Sequence, residues 1–127
     1  MNDIDISTIT PKEREIEIMH PATGEPLGIT VTVMSADDSR LKRHQRQLID
    51  RRQERQRRNK FLSAQEMEFE MVKLIANAIV GWDFKVKYQG EIPAFSTRKA
   101  IEMLSDPNIP WFFEQINAEM GDTKAFF

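Results

Sequence analysis

The stretch from residue 39 to residue 60 constrains this chain more than any other. It holds ten basic residues, Arg40, Lys42, Arg43, Arg46, Arg51, Arg52, Arg55, Arg57, Arg58 and Lys60, against only Asp50 and Glu54, a local charge of +8 with no Gly or Pro. Arg, Gln, Lys and Leu favour helix, and Ser35-Ala36-Asp37-Asp38-Ser39 ahead of them offers hydroxyl caps and carboxylates for the positive end of the helix dipole. The sequence therefore predicts a basic helix over 37–60, roughly 36 Å long at 1.5 Å per residue. Its apolar content is Leu41, Leu48 and Ile49, too little for a core element. Leu41, Leu48 and Leu62 share one heptad position, but Arg55 interrupts the frame and His44 or Gln45 fills the companion position, which argues against a coiled coil. The flanks are acidic, at -6 for residues 1–38 and -4 for 61–127, so the net charge is only -2. The layout is a basic arm between two acidic bodies, suited to nucleic acid, an acidic partner or a neighbouring copy.

The core must come from the rest of the chain. At 127 residues there is room for one domain, read here as 1–127, and eight Phe and two Trp supply bulk for it. Residues 1–13 are too irregular to predict more than a flexible leader. Glu15 to Met19 and Gly28 to Met34 alternate charged or hydroxyl residues with Ile and Val, the period of a half-buried strand. His20-Pro21-Ala22-Thr23-Gly24-Glu25-Pro26 between them reads as a turn, giving a hairpin over 15–34 whose Ile16, Ile18, Ile29, Val31 and Val33 share a face. Ser63-Ala64-Gln65-Glu66 is a capping box that restarts helix after a bend at Phe61. That helix is predicted to Val80 with Gly81 ending it, and Met67, Met71, Leu74, Ile75, Ala78 and Ile79, widened by Phe69, Val72 and Ala76, form its buried stripe. A turn-rich or short-strand segment follows from Trp82 to Pro93. Ser96 then caps a short helix, Thr97 to Leu104, and Asp106-Pro107 and Asn108-Ile109-Pro110 both place proline where the first turn of a last helix, running to about Met120, tolerates it. The fold class is α+β, mostly α: a hairpin, a long basic helix and a small helical bundle over 63–127.

Several chemistries lack their residues. Without Cys there are no disulfides, thiolate metal sites or thiol nucleophiles. His20 and His44 fall on different predicted elements and read as structural. Asp37-Asp38 fits a helix start, while Glu66, Glu68 and Glu70 fit a solvated flank. No phosphate-binding glycine loop or nucleophile elbow occurs. The reading is a non-enzyme with no cofactor and no metal. The apolar run Leu74 to Val80 is far short of the roughly 20 residues a membrane span needs, and Asp3, Asp5 and Glu13 do not suit a secretory signal, so a cytoplasmic setting is expected. Arg51, Arg52, Arg55 and Arg58 gather on one helix face as candidate partner-binding residues. Three readings stay open for them: a solvated strut, an arm for a protein partner, and a phosphate contact. Gly81, Trp82 and Trp111 are read as structural, the tryptophans as core anchors. Phe126 and Phe127 either fold back on the core or dock a partner.

From the core helix onward the chain resembles the tail assembly chaperones of long-tailed, siphovirus-type bacteriophages. The residues that carry this are Leu74-Ile75-Ala76-Asn77-Ala78-Ile79-Val80-Gly81-Trp82, Gly90 to Ser96 leading to Met103-Leu104, Pro107-Asn108-Ile109-Pro110-Trp111, and Phe126-Phe127. The hairpin Glu17 to Met34 with Asp38-Ser39-Arg40 is similar to that family's front half, so the resemblance spans residues 15–127 and is strongest from 70. It implies a late morphogenetic protein that binds the tape-measure protein, keeps it soluble, promotes tube polymerisation and leaves before the virion is complete. It also implies a frameshift-extended form that recruits the tail-tube protein, with the codons for Ala125-Phe126-Phe127 as the expected slip site. Self-association along the client is expected as well. The rival readings are a tail-completion or joining protein retained in the virion, and a nucleic-acid binder acting through the arginine-rich helix.

Overall fold

A computed structural model describes residues 5–58 and 62–127. The fold is α+β and mostly helical. Strands β1 (Arg14–Met19) and β2 (Pro26–Val33) form the expected hairpin, and helices α1 (Ser39–Arg57) and α2 (Ala64–Ala78) follow. Strand β3 (Ile79–Phe84) and helices α3 (Thr97–Leu104) and α4 (Pro110–Met120) complete the order, with 3-10 turns at Ile6–Thr8 and Thr123–Phe126. The predicted bend at Phe61 and the predicted end of the basic helix at Lys60 lie outside the described residues.

The three strands form one antiparallel sheet in the order β1-β2-β3, so β3 adds to the hairpin after the chain has made two helices. Register places Ile16 beside Val31 and Val31 beside Trp82, and places Ile18 beside Ile29 and Ile29 beside Phe84. Those side chains line the face turned to the helices, while Glu15, Glu17 and Asp83 lie exposed on the other. The register shifts between Ile18 and Met19 opposite Gly28, whose φ of +83° is open to glycine at little cost. A Cβ there would also meet the Lys85 Cβ at 3.3 Å.

This sheet corrects the sequence expectation for Gly81. Helix α2 stops at Ala78, not Val80, and Gly81 lies inside β3 opposite Thr32 and does not end a helix. Helical periodicity through Ile79 and Val80 is outweighed by pairing: Ile79 lies across from Val33, and the Met34 N–H donates to the Ala78 carbonyl at 2.8 Å. Ile, Val, Trp and Phe in this segment suit a pleated, half-buried surface.

Helices α2, α3 and α4 close over the inner sheet face around Ile75, Met103, Phe112 and Ile116. Helix α4 lies along β1, where the Gln115 amide accepts from the Met19 N–H and donates to the Met19 carbonyl, both at 2.8 Å. One side chain thus does for that edge position what a further strand would do. Arg14 Nη1 sits 2.5 Å from Glu119 Oε2 in the same seam.

Helices α1 and α2 form an antiparallel hairpin between the adjacent strands β2 and β3. Asp38 caps α1 by accepting from the Arg40 N–H at 2.9 Å, and the Arg40 guanidinium holds the Asp38 carboxyl below its ordinary range. Leu41 is fully buried, Gln45 and Leu48 half-buried, and the same steps of four and three continue to Arg52 and Arg55. At that distal end the seam turns ionic: Arg52 Nε meets Glu70 Oε2 at 2.9 Å, and Arg55 Nη1 meets Glu66 Oε2 at 2.5 Å.

Candidate functional site

The start of α2 is built as its sequence demands. Ser63 Oγ accepts from the Glu66 N–H at 3.2 Å, and Glu66 reaches back to the Ser63 N–H at 3.4 Å. That reciprocal cap, with the Arg55 guanidinium, holds the Glu66 carboxyl below its usual range, the Arg55 bond being the larger cause.

The helix so fixed is longer than what covers it. At 1.5 Å per residue α2 runs about 22 Å, whereas α3 and α4 run about 12 Å and about 16 Å and cross it only in part. Val72, Ile75, Ala76 and Ala78 are buried beneath them. One and two turns earlier the same apolar helix emerges into solvent, with Met67 50% exposed, Phe69 47% and Met71 46%. These three are corrections to the sequence reading, which places them in the buried stripe. Periodicity identifies an apolar face but not the length of its cover. The readable signal was the mismatch between a fifteen-residue helix and an eight-residue one.

The uncovered face is one wall of a groove of about 780 Å³. Its other wall is the corner between α3 and α4, where Leu104, Pro107, Pro110 and Phe113 contribute apolar surface. Three carboxylates also line it, Glu68, Asp106 and Glu114, and no Lys or Arg does among the described residues. Asp106 shapes the corner, accepting from the Tyr88 hydroxyl at 2.6 Å and from the Asn108 N–H at 2.9 Å. The Tyr88 bond, then the Asn108 N–H, keep its carboxyl below the ordinary range. Tyr88 in turn is pushed up to about 12, first by burial and then by the Asp106 carboxylate. The Lys73 ammonium lies 4.9 Å from the Phe69 ring centroid.

The residues singled out in the sequence fall in different places. Arg52 and Arg55 pair with Glu70 and Glu66 of α2, and Arg58 with Glu54 of its own helix at 3.0 Å. Arg51 is exposed and makes no ion pair among the described residues. Charge reversal at Arg52 or Arg55 would therefore strike the α1–α2 seam as well as any outside contact. Glu66 and Glu70, read as a solvated flank, supply the α2 side of that seam, Glu66 still exposed and Glu70 half-buried. Phe126 is corrected from a candidate docking residue to a core residue. Its ring is 1% exposed and its carbonyl accepts from the Lys12 N–H at 2.7 Å, while Phe127 is 55% exposed. A neighbouring pair of identical residues gives no sequence signal for which one turns inward.

Trp82 is half-buried, its indole N–H donating to the Pro93 carbonyl at 3.0 Å and its ring edge-on to Phe84 and Phe95 at 5.1 Å each. Trp111 is half-buried on the rim of a smaller cavity of about 380 Å³ beside Leu27, Val86 and Tyr88. His20 Nδ1 accepts from the Ala22 and Thr23 N–H groups at 3.0 and 3.3 Å and so closes the β1–β2 turn, while His44 lies exposed on α1. Among the described residues no group of three His, Cys, Asp or Glu is placed to hold a metal ion, and no helix is long and apolar enough to cross a membrane. What the groove offers chemically is apolar surface with anionic edges. Comparison of the chain with family models, with curated proteins and with solved structures finds no match.

Proposed function

We propose that this chain is a non-catalytic tail assembly chaperone of a long-tailed bacteriophage. It holds apolar stretches of the tape-measure protein in the groove between α2 and the α3–α4 corner, keeps that client soluble and promotes tail-tube polymerisation. It acts in the host cytoplasm and leaves before the virion is complete, and a frameshift-extended form brings the tube subunits. The observation that carries the holding role is the half-exposure of Met67, Phe69 and Met71 along a concave face. Apolar area is worth about 25 cal/mol per Å² when removed from water, and methionine adapts its shape to varied partners. A client that must be released favours many weak sites of this kind over one tight site. The phage setting rests on the sequence resemblance spanning residues 15–127.

The test is capture of the tape-measure protein from infected cells with the intact chain as bait, beside a Met67→Glu/Met71→Glu variant. Both positions are half-exposed, so the variant keeps its circular dichroism. The wild type should enrich the tape-measure protein and the variant should lose it at least tenfold. Recovery of the chain in stoichiometric amount from purified virions, or equal capture by both proteins, would refute the proposal. The first of these results favours a joining or tail-completion protein.

A further inference from the structure

We infer that the α2/α3–α4 groove takes a cationic amphipathic helix of another protein, its apolar stripe against Met67, Met71 and Phe113 and its basic flanks beside Glu68, Asp106 and Glu114. The inference rests on the holding role proposed above and adds the chemistry of what is held.

Secondary structure comes first. Both walls of the groove are helices or the proline-containing corner between them, so no strand edge lies open along it, and Pro107 and Pro110 have no N–H to give. An extended peptide would find no sheet edge to pair with and would leave its own backbone groups unmatched against an apolar floor. A helix satisfies those groups internally and brings only side chains. Met67 and Met71, four residues apart, form one ridge of α2 against which another helix can pack.

Charge then selects among helices. Three carboxylates and no cation line the groove among the described residues, and the Tyr88 hydroxyl and Asn108 N–H fix the Asp106 carboxylate in place at 2.6 and 2.9 Å. A second copy seated face to face would set Glu68 and Glu114 against themselves, and an acidic helix or a nucleic acid would meet the same repulsion. Lys or Arg flanking an apolar stripe meets attraction at the rim, and its long aliphatic stem adds cover to the floor.

The probes are two fluorescein-labelled amphipathic peptides of about eighteen residues, long enough to be marginally helical alone, one of Leu and Lys and one of Leu and Glu in the same pattern. Fluorescence anisotropy with the intact chain at moderate salt should show the Lys peptide binding at least tenfold tighter. A Glu68→Lys/Glu114→Lys variant, altered at two exposed positions, should reverse the order. Met67→Ser/Met71→Ser should weaken both peptides. Equal affinity of the two peptides, or a preference that the double charge variant leaves unchanged, overturns the inference. Tighter binding of the Glu peptide that is lost in the Met→Ser variant overturns the charge assignment but keeps the holding role. Failure of both peptides to bind while the tape-measure protein is still captured overturns the helix assignment alone. Sedimentation of the chain by itself adds one more arm: concentration-dependent dimerisation abolished by Met67→Ser/Met71→Ser would give the groove to a second copy.

Discussion

Replacing Phe126 by Ala and, separately, Phe127 by Ala should give two very different proteins. Phe126 is 1% exposed in the main core cluster, so its truncation removes a fully buried aromatic ring and leaves a cavity. Buried Phe→Ala changes cost about 3–5 kcal/mol, and the lower end applies here because the short turn Thr123–Phe126 can settle partly into the space. A loss of about 3 kcal/mol is a large share of the roughly 5–15 kcal/mol that holds a domain together. At this chain length it lowers the melting temperature by about 10 °C. Phe127 is 55% exposed, and its truncation should stay within about 0.5 kcal/mol. Thermal unfolding followed by circular dichroism measures both, and urea titration gives the same difference as a shift in midpoint at constant slope. Equal small shifts in the two variants would refute the placement of Phe126 in the core. A larger loss from Phe127 would mean that the terminal turn is set the other way round.

Two further outcomes can be checked on the same material. Tyr88 is the chain's one tyrosine, so the ultraviolet absorbance of tyrosinate reports it alone, and its apparent pKa should be about 12 against an ordinary value of 10. Because the folded value lies above the unfolded one, Tyr88 contributes stability that is present below pH 10 and lost as pH rises towards 12. Asp106→Asn should bring the value down part of the way only, since burial is the larger cause, and a titration at 10 in the folded wild type would refute the Tyr88–Asp106 bond. In the helical hairpin, a double-mutant cycle on Arg52→Ala and Glu70→Ala should show a coupling of about 0.2–1 kcal/mol that shrinks in high salt. The same cycle on Arg51 and Glu70 should show none.

Local chemistry was readable and distant pairing was not. The Ser63–Glu66 cap, the Ser96 cap accepting from the Lys99 N–H at 3.0 Å, the bounds of α3 and the end of α4 all follow from residues within one turn of each other. The alternation of β1 and β2 likewise gave the correct inner face. Strand β3 failed that test because its partner lies more than forty positions upstream, and nothing local distinguishes Ile79-Val80 as the end of a helix from the start of a strand. For the site, acidic and basic residues were legible as types, but their matching across the α1–α2 seam required knowing that the two helices run antiparallel. The groove was hidden for a related reason: an apolar stripe looks the same whether or not something lies over it. Phe126 and Phe127 differ only in which way one short turn points.

The placement of α1 and α2 between two neighbouring strands makes the helical hairpin an adjustable spacer. Its two ends are pinned side by side at Val33 and Ile79, so its length is uncoupled from the sheet beneath. Seven residues added to each helix would restore the same seam in register and carry the tip outward by about 10 Å, leaving every strand pair in place. Reach is thereby a property that insertion or deletion can tune without re-solving the fold.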